Sequence, residues 1–186
     1  MTLRKLILRT TIALAMISPL CSTGWAQAVE ARSAYTSLDT ECKMLWHAAD
    51  HDPLPDSFES ICPGRDGIRV LLERGDARSW IVLVPRGTKN ENGIRLYNNW
   101  GAFPEITGKR LEWRYHGSKL VALIVRSEWT EQSAADGDNS QNVSGLVIWR
   151  VDATKLDKTC AIGRTTSNEE AQAIADDLGK RCLEKD

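Results

Sequence analysis

Beyond residue 28 the chain has no apolar run near the roughly 20 residues that a membrane-spanning helix needs, so no helical anchor is expected there. It has no Cys-x-x-Cys, which removes the usual outline of a paired-thiol redox centre. It has no clustered Lys and Arg face. Without one there is little counterion release to drive phosphate-backbone binding, and nucleic acid is not an expected partner. Nor does any hydroxyl or thiol stand in a clear pattern beside a base; Ser118 next to His116 is a turn serine near a histidine, weak grounds for a triad. No internal repeat is visible. These absences leave no reaction specified and no cofactor expected.

What is present begins with an export leader. Arg4, Lys5 and Arg9 form a basic start, Thr10 to Leu20 is an apolar stretch too short to span a bilayer, and Ala26-Gln27-Ala28 is a small-x-small cleavage site. Cleavage near Ala28 is expected, which makes the protein periplasmic or secreted. Cys21 follows Ser18-Pro19-Leu20, which lacks the small residue that lipoprotein processing requires immediately before the cysteine, so Cys21 reads as part of the leader, with a form lipidated at Cys21 as the minor alternative. The leader carries three of the 24 basic residues and none of the 25 acidic ones, so its loss takes the net charge from −1 to −4. The remainder, residues 29–186, has the length of one domain with one sizeable core.

Residues 29–60 are mixed and polar, with Asp52-Pro53-Leu54-Pro55-Asp56 breaking any helix, and read as a loop-rich lead-in. The runs Ile68 to Glu73 and Arg78 to Val84, parted by Arg74-Gly75-Asp76, predict a hairpin with a permissive glycine at its turn. That explanation suffices for an Arg-Gly-Asp tripeptide, and the Asn142-Val143-Ser144 sequon is likewise read as coincidence. Glycines and prolines from 85 to 108 predict a long connection with one short strand near Ile94 to Tyr97. Leu111, Trp113 and Tyr115 then alternate with polar residues, Gly117-Ser118 makes a turn, and Leu120 to Val125 suits a central strand covered on both faces. Residues 131–142 predict a loop, Val143 to Asp152 another strand, and Thr159 to Arg164 a shorter one. Ala171, Ile174, Ala175, Leu178 and Cys182 share one helical face, and Ser167 with Glu170 forms a capping box, so a helix over 168–182 is predicted. The expected fold is α+β: a single curved antiparallel sheet of about five to six strands packed by a C-terminal helix and stapled by two disulfides.

Four cysteines outside the leader allow three pairings. Locality favours Cys42 with Cys62 and Cys160 with Cys182. His47-Ala48-Ala49-Asp50-His51 is the one local outline of a metal site, but Pro53 would end the helix needed to align the imidazoles, and a pair of surface loop histidines is the default reading. Of the tryptophans, Trp80 and Trp113 read as core, whereas Trp100 and Trp129 are expected at partly exposed positions. The polar face of the 110–129 hairpin offers Glu112, Arg114, Arg126 and Glu128. A salt-bridge ladder is the ordinary reading of such a face, and an anion or peptide-carboxylate site the functional one.

Cys62-Pro63-Gly64, Asp76-x-Arg78, Glu112-Trp113-Arg114, Ala122-Leu123-Ile124-Val125-Arg126, Cys160-x-x-Gly163, Asn168, Ala173-Ile174-Ala175-Asp176 and Cys182 occur in that order. In order and spacing the chain resembles a family of small secreted proteins of Gram-negative bacteria, mostly described as hypothetical, over about residues 35–182. The resemblance implies export and paired cysteines, and it transfers no activity. The expected function is therefore a non-enzymatic binding module of the cell envelope, its ligand surface formed by Glu112, Arg114 and Arg126 with Trp129 at the edge. Its partner would be an envelope protein or a small anionic or peptide ligand. The alternatives are a metal-dependent hydrolase using His47 and His51, and a hydrolase inhibitor presenting the 131–142 loop.

Overall fold

The computed structural model describes residues 29–97, 100–132 and 140–183. The expected leader with Cys21, and residues 133–139 of the expected loop, lie outside the described residues. Among the described residues ten strands form two antiparallel five-stranded sheets rather than one. The first sheet runs β1 (Ala31–Ser37), β7 (Ala102–His116), β8 (Lys119–Gln132), β9 (Ser140–Arg150) and β10 (Cys160–Thr165). The second runs β2 (Lys43–His47), β3 (Phe58–Cys62), β4 (Ile68–Gly75), β5 (Arg78–Pro85) and β6 (Ile94–Leu96).

Period-two alternation explains how the sheets pack. Leu123 and Val125 of β8, Val147 and Trp149 of β9 and Leu111 and Trp113 of β7 face inward. They meet Ile68 and Val70 of β4, Ile81 and Leu83 of β5 and Leu96 of β6 in one buried cluster. Each such aliphatic side chain contributes about 1.5–3 kcal/mol by leaving water. Several of the polar groups trapped in this layer are paired, although the Trp149 indole nitrogen is buried without a hydrogen-bond partner among the described residues. The Trp113 indole donates to the Thr36 hydroxyl at 3.0 Å, which donates to the Pro63 carbonyl at 3.0 Å. The Ser127 hydroxyl donates to the Glu105 carbonyl at 2.8 Å, and the Ile106 amide to the Ser79 hydroxyl at 2.5 Å.

The continuous apolar run of β8 is covered on both faces as predicted. Ala122, Ile124, Leu146, Ile148 and Ile162 face outward and are packed by Ala171 and Ala175 of the helix α1 (Asn168–Asp176). The Ser167 hydroxyl accepts the Glu170 amide at 3.3 Å, so the capping residue acts as predicted. The Glu170 carboxylate instead takes the Thr165 hydroxyl. The helix is shorter than its periodicity suggested and stops before Asp177, and Leu178 is 56% exposed. The tail is drawn away to the sheet edge: the Leu183 amide donates to the Ala161 carbonyl at 2.8 Å, and Cys182 is bonded to Cys160. Cys42 is bonded to Cys62, so both local pairings are those of the structure. Among the described residues no helix is long and apolar enough to cross a membrane.

Two segments expected to be irregular are strands. The lead-in contains β1, β2 and β3, and β7 begins at Ala102 rather than near Arg110. β1 and β2 are edge strands, and β2 is exposed along all five residues, so neither carries a strict apolar alternation. The first half of β7 is broken by register shifts, which hide its period. In the β4–β5 hairpin the left-handed residues are Asp76 (φ 52°) and Ala77 (φ 53°), not the glycine before them. At Gly75 a Cβ would lie 2.9 Å from the Ser57 hydroxyl, so a larger residue there would have to turn the serine aside.

Candidate functional site

The central feature of the polar face is a wide bulge. Ile106 is opposite Ser127 and Leu111 opposite Val125, so residues 107–110 of β7 face Arg126 alone. Gly108 permits this, because a Cβ there would lie 3.0 Å from both the Cβ and the amide nitrogen of Arg126. The Lys109 carbonyl is held by the Leu38 amide at 2.9 Å. The bulge brings Lys109 and Arg110 beside Arg126 at the rim of a cleft of about 430 Å³. The cleft lies where α1 leaves the outer face of the first sheet uncovered. Ile124 and Leu146 form its apolar floor, with Tyr35, Glu112 and Gln172 along its sides.

The four site residues expected from the sequence separate into three environments. Arg114 lies beneath the helix: its Nε and one terminal nitrogen donate to the two carboxylate oxygens of Asp176 at 2.7 and 2.6 Å, and the other to the Ser33 hydroxyl at 2.9 Å. The hydrogen bonds it donates to Asp176 raise the Arg114 pKa above its ordinary value, against the opposing effect of burial. Its guanidinium is therefore a clamp on α1 and does not line the cleft. Glu112 does line it, accepting from the Gln172 amide at 2.9 Å and from the Ser33 hydroxyl. Arg126 also lines it, and reaches the Ser144 hydroxyl at 3.5 Å. Among the described residues neither Arg110 nor Arg126 has a carboxylate within 4.0 Å.

Trp129 is on the opposite face of β8, three residues from Arg126 and therefore of opposite parity. It is 3% exposed rather than at a wet edge. Its indole donates to Glu131 at 2.8 Å, its ring centroid is 6.0 Å from that of Trp100, and the Arg164 guanidinium lies 5.5 Å above it. Trp113 is fully buried as expected, whereas Trp80 is only half-buried on the outer face of the second sheet, beneath Arg95. Nor do Arg114 and Arg126 confront each other. A register shift places Arg114 opposite Ala122, four residues along β8 from Arg126, or roughly 13 Å.

Lys109, Arg110, Tyr35 and Gln172 escaped the sequence reading. A Gly-Lys-Arg triplet just ahead of a strand pattern was the available signal, since an isolated glycine in a strand marks a bulge. His47 ends strand β2 and contacts the Ala48 carbonyl through Nδ1 at 2.9 Å, so the shared helical face that would align it with His51 is not formed. Among the described residues no group of three or more His, Cys, Asp and Glu side chains is arranged to hold a metal ion. No family model, no curated protein and no solved structure matches the chain.

Proposed function

We propose that the protein is an exported, non-enzymatic binding module whose ligand is an anion, of the peptide-carboxylate class, seated in the cleft beside α1. The observation that carries this reading is the bulge. It sets Lys109 and Arg110 beside Arg126 over an apolar floor, and Arg110 and Arg126 have no carboxylate partner among the described residues. A guanidinium takes a carboxylate in bidentate geometry, and the floor of Ile124 and Leu146 suits the apolar side chain next to it. Glu112 is held back by Gln172 and Ser33, so it restricts the site to a ligand with a neutral or donor group on that side. Two disulfides favour an oxidising compartment, in keeping with the leader read in residues 1–28, and the ordered motifs favour grouping the chain with small secreted Gram-negative proteins.

The test is an NMR titration with a hydrophobic tripeptide bearing a free C-terminal carboxylate, against the same peptide as its amide. The free acid is expected to shift the Arg110, Arg126 and Gln172 resonances, and the amide is expected not to. Equal shifts, or none, would overturn the reading. Arg126→Gln is expected to weaken the free acid about tenfold or more, as loss of a charged hydrogen-bond partner does.

A further inference from the structure

The outer face of the second sheet carries a second arrangement of side chains that the fold does not need. Trp46 of β2 is directly opposite Glu59 of β3, Glu59 opposite Glu73 of β4, and Glu73 opposite Trp80 of β5. Directly opposed residues of antiparallel strands share a face, so the four form one row across the sheet. Arg95 of β6 extends it. Its guanidinium pairs with Glu73, lies 4.8 Å above the Trp80 ring and 6.0 Å from that of Tyr97, and donates to the Tyr97 hydroxyl at 3.4 Å. Trp46 and Tyr97 are each 54% exposed, and neither belongs to the hydrophobic core.

The row also places two carboxylates directly opposite each other, an arrangement that destabilises a sheet. It is tolerated because Arg95 neutralises Glu73 while the Asn90 amide donates to Glu59 at 3.0 Å, Asn90 itself being held by Arg69 at 3.1 Å. The result is a row of aromatic rings flanking positioned hydrogen-bonding groups. We propose that this row is a binding site for a neutral glycan chain. A pyranose ring has a face of C–H groups that packs on an indole and a rim of hydroxyls that both donate and accept. Trp46 offers the first surface, Trp80 beneath Arg95 adds only its exposed part, and Glu59, Glu73 and Arg95 offer acceptors and donors for the second. An apolar helix laid here would strip water from Glu59 and from the Glu73–Arg95 ion pair without replacing it, and an anionic surface would meet Glu59 and Glu73 first. Three inter-strand steps separate the backbones of Trp46 and Trp80, roughly 14 Å, so the ligand is an oligosaccharide lying across the strands rather than one sugar.

The experiment measures quenching of intrinsic tryptophan fluorescence of the purified protein by cellohexaose and chitohexaose, and co-sedimentation with insoluble chitin. Binding to at least one of the three is expected. Trp46→Ala is expected to weaken that binding by about tenfold or more, as removal of an aromatic anchor does, without moving the urea midpoint. Trp80 is half-buried, so Trp80→Phe is the second variant; it keeps a ring on the sheet and is expected to retain part of the binding. Glu59→Gln is expected to lose less than Trp46→Ala. Absence of binding to all three probes, or unchanged binding by Trp46→Ala, would overturn the proposal.

Discussion

On the outer face of the first sheet α1 covers Ala122, Ile124 and Ile148, whereas on that of the second the segment around the short turn Asn90–Asn92 lies over Val82 and Val84. In both cases part of the face is left open, the basic cleft in one and the aromatic and carboxylate row in the other. The covers are attached by different physics. The helix is clamped by charge: Arg114 grips Asp176, and Arg150 donates to the Ala175 and Asp177 carbonyls at 3.1 and 2.6 Å, satisfying the helix C-terminus. The second cover has hydrogen bonds from Asn90 to Glu59 and from Arg69 to Asn90 but, among the described residues, no ion pair to the sheet, and it sits in close contact, since a Cβ on Gly93 would lie 2.4 Å from one Val82 methyl and 2.9 Å from one Val84 methyl. A cover clamped by charge is loosened by removing a partner, and one attached by contact is loosened by adding an atom.

The bridges offer the largest test of this contrast. Both close loops of similar length, with separations of 20 and 22 residues, and each is worth about 3 kcal/mol by chain entropy. Cys62 is 3% exposed in the inter-sheet core, whereas Cys182 lies on an exposed tail. Replacing Cys42 and Cys62 by alanine is therefore expected to cost about 1 kcal/mol more than replacing Cys160 and Cys182, because it also leaves a core void. Urea unfolding of the two double variants measures the difference, and equal costs would contradict the placement of the first bridge in the core.

Next in size is the helix clamp. Arg114→Ala leaves Asp176 unpaired against the sheet and is expected to cost about 2–3 kcal/mol, while Arg114→Lys, which cannot keep both bonds, loses about half of that. Hydrogen exchange would show the loss as faster opening of α1 with β4 and β5 unchanged. For the second cover, Gly93→Val is expected to cost about 1–3 kcal/mol by overpacking, and to expose β5 amides before those of β8. A uniform loss of protection in either variant would mean that the covers are not independent.

A smaller effect joins the sheets themselves. The Tyr115 hydroxyl donates to Asp66 at 2.5 Å, and burial, then that bond and the negative charge of Asp66, push the phenol up to about 12 from 10.0. Because the folded value is raised, the stability it contributes is complete below about pH 10 and is lost as pH rises toward about 12. Alkaline unfolding followed by circular dichroism should show a loss in that window, and Tyr115→Phe should remove it. The smallest expected change in stability belongs to the open surfaces. Arg126→Gln and Trp46→Ala should each stay within about 0.5 kcal/mol, since neither side chain packs in a core cluster.

Legibility followed burial. The β4–β5 hairpin, β8, β9 and the start of α1 were readable because each has at least one face pressed into a core, and burial imposes a period on the sequence. β1 and β2 at the sheet edges, and the bulged half of β7, bury little and carry no clear period. The candidate site was legible in part for the same reason. Glu112 and Arg126 were placed by alternation, but Trp129 belongs to the opposite parity and faces the core. Lys109 and Arg110 required a bulge that only Gly108 hints at.

Local chemistry determined the capping serine of α1, the Gly117-Ser118 turn and the doubly covered central strand, because each depends on residues within a few positions of one another. The short cysteine separations likewise matched the bridges. Tertiary structure alone decided that there are two sheets rather than one, that Arg114 serves the helix while Arg126 faces the cleft, and that Trp46, Glu59, Glu73 and Trp80 form a row. Those outcomes depend on strand order and register, and register is set by contacts between segments that are distant in the chain.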